Sequence, residues 1–303
     1  MPENSKRQAW LIFVVLALIW GSSFIIMKRG LLSFTPVQVG AIRILYASFF
    51  TAIIGFKSLR SFKRADIWPL IVVGWFGNGI PYLLFPLAVS RVDSSIIGII
   101  NSLVPLFTLI VGFFWFRFKP LPVQVFGILI GFVGAFFLIR PTGPVSLTGD
   151  LGYALFAVIA TICYAISINT INARLKHLSA LAITNLSLVT VGLPMLLFLL
   201  TTDFTSRFTT QPLVWQSMGY LAILGIVGSS LAIIMFNYLI KVSTPIFSSS
   251  VTYAIPIVAI LWGWIDGESI GIKHLIGVGC ILAGIYLVNS TKRKNTAKTE
   301  LAD

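Results

Sequence analysis

The sequence predicts an all-α polytopic membrane protein, with ten transmembrane helices arranged as two inverted five-helix repeats. Three observations predict it. Hydrophobic residues make up 57% of the 303 and charged residues only 10%, whereas a soluble domain carries about 25% charged residues. The apolar residues fall into ten runs, each near the ~20 residues that a bilayer-crossing helix needs. Landmarks of the first five runs recur, in order, in the second five.

The runs are 9–28, 36–56, 67–89, 94–116, 122–140, 150–172, 179–200, 213–240, 245–265 and 271–290. They are too long and too evenly apolar for the alternating segments of about ten residues that build a membrane β-barrel. Lys6 and Arg7 before run 1, with Gly21-Ser22-Ser23 inside it, imitate a signal peptide. The apolar stretch continues to Met27, longer than a signal peptide's core, so run 1 is expected to remain as a span. Run 2 carries Arg43, the one clear charge inside a span. Its apparent shallow depth favours a structural role, snorkelling outward or pairing with Asp93 or Asp150, over attraction of an anionic solute.

Run 3 holds Gly74, Asn78 and Tyr82 on one face, and run 4 holds Asn101, Pro105 and Thr108 likewise. A proline removes a backbone hydrogen bond and bends its helix. Pro105 and Pro256 are therefore expected to be the hinges of spans 4 and 9. Gly127, Gly131 and Gly134 line one face of run 5, and Gly277 and Gly284, interrupted by Ile281, repeat the idea in run 10. Small faces let helices approach closely, which suits packing within the bundle or a dimer contact. Cys163 and Cys280 lie in apolar runs and read as small buried hydrophobes.

At an offset of 151, Phe85 falls on Phe236, Pro105 on Pro256 and Gly112 on Gly263; at 150, Gly127 falls on Gly277 and Gly134 on Gly284. The repeats are set at 1–143 and 144–290, followed by a basic tail, 291–303. Five spans per copy force the second to enter the membrane upside down, about a two-fold axis in the membrane plane. With the N-terminus in the cytoplasm, fifteen Lys and Arg fall inside and six outside. That ratio favours both termini cytoplasmic, in the inner (plasma) membrane. Topology therefore accounts for the net charge of +13, and no nucleic-acid partner is expected.

Counting about ten residues into each span reaches mid-depth. The residues found there or within about a turn are Trp20, Ser23, Asn78, Tyr82, Asn101, Tyr164, Ser229, Thr252 and Tyr253. Any one of them suits interhelical hydrogen bonding. As a set near one depth they point to a central cavity for a small-molecule solute. All nine Asp and Glu residues lie in tails, loops or span ends, so an intramembrane carboxylate relay is not expected. No phosphate-binding loop or HExxH is present, which argues against ATP hydrolysis and against a membrane-embedded metalloenzyme. No cofactor or metal is expected, and the partners are solute and membrane lipid, with the chain a monomer or homodimer. A passive channel is the remaining alternative.

"LIWGSSFIIMK" in run 1 resembles the opening span of the drug/metabolite transporter superfamily, specifically its EamA-type exporters. "PVQVGAIRILYA" around Arg43, "VPLFTLIVGFF" in run 4, "IPIVAILWGW" in run 9 and the glycine-rich runs 5 and 10 carry the same resemblance. It implies a ten-helix inverted-repeat fold, cytoplasmic termini and a cavity lined by spans 1, 3, 4, 6, 8 and 9. It also implies export of amino acids, other metabolites or toxic compounds by alternating access. Run 6 departs from the family pattern: "CYAIS" places Tyr164 where a tryptophan is common.

Overall fold

Apolar runs interrupted by few prolines favour helix, and the computed structural model of the chain is helical throughout its described residues, 3–92, 94–138, 147–265 and 272–299. The expected repeat boundary at 143/144 lies outside them. The helices are α1 (Glu3–Gly30), α2 (Pro36–Ile54), α3 (Ile67–Gly74), α4 (Ile80–Val89), α5 (Ser94–Asn101), α6 (Val104–Phe114), α7 (Pro122–Leu138) and α8 (Leu147–Thr170). They continue as α9 (Ala180–Leu200), α10 (Phe204–Thr210), α11 (Val214–Gly225), α12 (Ala232–Val242), α13 (Pro245–Ser249), α14 (Val251–Ile265) and α15 (Ile272–Thr299). Among the described residues, six continuous helical segments are long and apolar enough to cross a membrane: Arg7–Gly30, Pro36–Ile54, Arg64–Val89, Gly152–Leu175, Ala180–Leu200 and Val214–Val242. Four further apolar stretches are shorter: Val104–Phe114, Pro122–Gly134, Pro245–Val258 and Ile276–Val288. The protein is a multi-pass membrane protein.

Several expected spans are broken within. π-Helical turns lie at Trp75–Gly79 between α3 and α4, at Ile226–Leu231 between α11 and α12, and at Ile171–Leu175 after α8. The first two begin 151 residues apart. Each loosens the backbone, and a side chain five residues on takes the freed carbonyl. Asn78 Nδ2 lies 3.5 Å from the Val73 oxygen, and Ser229 Oγ donates to the Leu224 oxygen at 3.1 Å. Such turns often mark functional sites.

The proline hinges behave differently from each other. Span 4 is interrupted at Ser102–Leu103, and Pro105 sits in the first turn of α6, where its missing N–H has no ladder partner to lose. In span 9 the expected hinge moves. Pro256 lies inside α14, and the interruption falls at Ser250, between α13 and α14. The cause is local: Ser249 and Ser250 donate to the Ile246 and Phe247 carbonyls three residues back, at 2.9 and 2.7 Å. Side-chain bonds of this kind compete with the helical ladder.

Packing is governed by small residues. α7 lies against α15, where a Cβ on Gly284 would meet the Gly127 oxygen at 2.6 Å and the Gly131 nitrogen at 2.7 Å. The glycine faces of these helices are thus used within the bundle. α3 crosses α9 where a Cβ on Gly74 would touch the Ser187 oxygen, and α11 crosses α2 where one on Gly225 would touch the Arg43 oxygen. α1 packs on α14 and α12, while α8 packs on α6 and α4.

Polar contacts join the two halves of the chain at both ends of the bundle. At one end His177 Nε2 lies 3.1 Å from the Asp66 carboxylate and Asn185 Nδ2 donates to the Gly55 oxygen at 2.8 Å. At the other, Gln38 Nε2 donates to Asp203 Oδ1 at 2.7 Å and Arg207 to the Ser33 oxygen at 3.0 Å. The Arg207 hydrogen bond, joined by that of Gln38, holds the Asp203 carboxyl below the usual carboxylate range.

Substituting Gly284→Ala should destabilise the protein by about 1–3 kcal/mol, the usual cost of overpacking a tight contact. Gly279→Ala on the same helix, where a Cβ meets nothing within 4 Å, should be neutral or slightly stabilising. Thermal unfolding of the two variants in detergent measures the difference.

Candidate functional site: a polar cavity at mid-depth

Helices from both halves leave a cavity of about 110 Å³ between them. A water needs roughly 10–15 Å³ on this scale, so several waters or a small solute fit. α1 contributes Trp20 and Ser23, α2 contributes Arg43, and the α3–α4 segment contributes Asn78 and Tyr82. Asn101 comes from α5 and Tyr164 and Ser167 from α8. α12 and α14 add Ile233, Phe236, Asn237 and Thr252. Much of the wall is aromatic. Trp20 meets Phe236 edge to face at 5.1 Å, and Phe85 stacks on Tyr164 at 5.8 Å. Trp20 Nε1 is held by the Gly228 oxygen at 3.1 Å.

Seven of the nine residues expected at the cavity therefore line it: Trp20, Ser23, Asn78, Tyr82, Asn101, Tyr164 and Thr252. Two do not. Tyr253 is fully buried away from it, with its hydroxyl donating to the Ile128 oxygen at 2.8 Å and its ring against Gly131. Thr252 and Tyr253 are adjacent on a helix, so their side chains diverge by about 100° and only one can face the cavity. Ser229 is also fully buried, behind the wall, where it supports Arg43.

Arg43 corrects the sequence reading most. Pro36–Ile54 is 19 residues long, so Arg43 lies about two residues, or ~3 Å, from the helix midpoint. It is 6% exposed and does not snorkel. Its Nε donates to Ser229 Oγ at 2.6 Å, Nη2 lies 3.4 Å from the Gly228 oxygen, and its guanidinium carbon sits 3.8 Å from the centre of the Tyr82 ring. A desolvated contact over a ring is worth about 2 kcal/mol, less than the several kcal/mol that burying a charge costs. Its expected partners Asp93 and Asp150 lie outside the residues whose side chains are described, and among the described residues no carboxylate lies within 4 Å of it.

The asparagines separate into two kinds. Asn169 donates to the Thr108 and Ala165 oxygens, Asn185 to Gly55, and Asn237 to Thr184, all at 2.8–2.9 Å. These hold helices together. Asn101 instead makes no side-chain hydrogen bond among the described residues, and Asn78 Oδ1 is buried without a partner, as is Asn185 Oδ1, but of these two only Asn78 lines the cavity. Unpaired amides at mid-depth belong to a cavity that water or solute fills. Thr108 bonds its own helix and does not reach the cavity.

Arg43, Ser167 and Asn237 are the polar lining residues that sequence reasoning missed. For Ser167 a signal existed: it lies three residues after Tyr164, as Ser23 lies three after Trp20, and both pairs are 144 residues apart. For Arg43 the signal was its count from the helix midpoint. Among the described residues, no group of three or more His, Cys, Asp or Glu side chains forms a metal site.

Apolar helices closed around a largely aromatic chamber with a few polar groups aimed into it fit a membrane transport protein. The chain belongs to the EamA-like transporter family, which matches it twice, at residues 8–140 and 151–290. It is similar to the inner membrane transporter YedA of Escherichia coli K12, with 26% identity over 95% of this chain and 92% of that protein. It is likewise similar to Protein PecM of Dickeya dadantii, with 25% identity over 94% of this chain and 95% of the relative. A solved crystal structure shares the fold, with a TM-score of 0.73 at 18% identity, covering 94% of this chain and 98% of that one.

If Tyr253 is a packing residue, Tyr253→Phe should cost about 1 kcal/mol of stability, the worth of one hydrogen bond. Solute selectivity should be unchanged. Unfolding in detergent and a competition assay on the same preparation check the two parts.

Proposed function

We propose that this protein exports a small metabolite, such as an amino acid or a drug-like compound, by alternating access across the inner membrane. One observation carries the reading: the side chains left without partners at mid-depth, Asn101 and Asn78 Oδ1, gather at the cavity. Interhelical glue would have spent these amides on neighbouring helices, as Asn169 does toward Thr108 and Asn237 toward Thr184.

Alternating access follows from an inverted repeat of five spans per half. The packing pattern supports that arrangement. Exchanging the halves turns the α1–α14 contact into α8–α6, α3–α9 into α11–α2, and the π turn at Trp75 into that at Ile226. Two-fold related parts that adopt two shapes and swap them expose the cavity to each side in turn. The broken spans, at Ser102–Leu103 and Ser250, are where the backbone has least ladder to lose, so they are the proposed hinges. The basic residues favour cytoplasmic termini, as the charge count implies. The relative YedA is named as an inner membrane transporter, which supports the same membrane here.

Purified protein in liposomes should move at least one solute from a panel of amino acids and drug-like compounds faster than empty liposomes do. Replacing Asn101 by leucine should change which solutes move while leaving expression near wild type. A panel in which nothing moves contradicts the proposal, and an Asn101→Leu variant that fails to accumulate would assign that residue to packing.

A further inference from the structure

Building on the transport reading, we infer that the cavity is a receptor for a monoanion. Arg43 takes the carboxylate of a ring-sized organic solute, and Asn78 Oδ1 accepts from a donor on the same molecule. The first argument is charge balance. Arg43 is 6% exposed and lines the cavity, and among the described residues it has no carboxylate within 4 Å. A buried charge without a counter-ion is strongly unfavourable. A neutral amide could serve the same two acceptors, Ser229 Oγ and the Gly228 oxygen, without that penalty. The retained charge is accounted for if its counter-ion arrives with the solute.

The second argument is aim. Ser229 engages Nε from behind the wall and the Tyr82 ring covers one face of the guanidinium. Nη1 makes no hydrogen bond among the described residues. The outer edge of the fork, the part that matches a carboxylate, is therefore left for a ligand. Low-dielectric walls concentrate the potential of this single charge within the cavity, which draws anions in and repels cations.

The third argument is composition. Among the described residues, Arg43 is the only charged side chain that lines the cavity. One positive charge balances a carboxylate and leaves a doubly charged phosphate half compensated. Asn78 lines the cavity and its Oδ1 lacks a donor, so in this inference the amide turns to accept an N–H or O–H that the solute supplies. Trp20, Phe85, Tyr164 and Phe236 leave a ring-sized apolar body as the remaining part.

Three probes with one ring and one hydroxyl donor separate the head groups: 4-hydroxyphenylacetate, its neutral amide 4-hydroxyphenylacetamide, and the cation tyramine. Calorimetric titration into the detergent-purified protein reads binding, and flux into liposomes reads transport. The carboxylate should bind about tenfold or more tightly than the amide, the scale of one charge-assisted hydrogen bond, and tyramine should bind weakest. Arg43→Gln should bring the carboxylate down to the level of the amide, and Arg43→Lys should keep the order with a smaller ratio. If Arg43→Gln does not fold, the wild-type ranking and Arg43→Lys decide. The inference is overturned if wild type binds none of the three, binds the amide or tyramine as well as the carboxylate, or keeps its preference in folded Arg43→Gln. Carboxylate binding with no flux of any solute would instead leave the anion site standing and remove the transport reading.

Discussion

A polar group inside hydrocarbon must find its partner within the protein, and this constraint organises the structure. Most of the chain obeys it locally. Serine and threonine hydroxyls bond the preceding helical turn, as Ser23, Thr51, Thr108 and Thr170 do. Asparagines bridge helices, and glycines bring the backbones of α7 and α15 into close contact. Against that background the unpaired groups stand out. Asn185 Oδ1 and Arg207 Nε lie away from the cavity, but Asn101, Asn78 Oδ1 and the Nη1 edge of Arg43 belong to three different helical segments and to residues that line it together. Their shared location is better explained by a wet chamber than by three separate defects.

In the proposed inverted repeat the two sides of the chamber are related but unequal. Trp20 and Ser23 on α1 stand opposite Tyr164 and Ser167 on α8, and Asn78 corresponds to Ser229. Gly74 presses on Ser187 where Gly225 presses on Arg43, so the counterpart of the arginine is a serine. One wall thus carries the charge and its ring platform, Tyr82, whereas Ile233 occupies the equivalent of Tyr82 on the other. A symmetric scaffold supplies the motion in the proposed mechanism, and the asymmetric side chains supply discrimination between solutes.

Much of this was legible in the sequence because hydropathy and depth are one-dimensional properties. The apolar runs located the helices to within a few residues, and mid-depth counting selected seven cavity residues of nine. What it missed depends on azimuth and on local backbone chemistry. Tyr253 sits at the right depth on the wrong face of α14. Ser229 lies in a π turn that rotates it behind the wall. The span 9 interruption at Ser250 arises from successive serine hydroxyls, which no proline count reveals. Arg43 was misjudged because its helix ends at Ile54 and its distance from the midpoint is only about half a turn.

The claim on which the rest depends is that water reaches a chamber in the middle of the membrane. Single cysteines introduced into a background lacking Cys163 and Cys280, probed in membranes with a small, polar methanethiosulfonate reagent, test it most directly. The account predicts that Asn101→Cys and Ser167→Cys react readily, while Tyr253→Cys and Ser229→Cys stay protected. Protection of Asn101→Cys and Ser167→Cys under every condition, in protein that is folded and inserted, would contradict it.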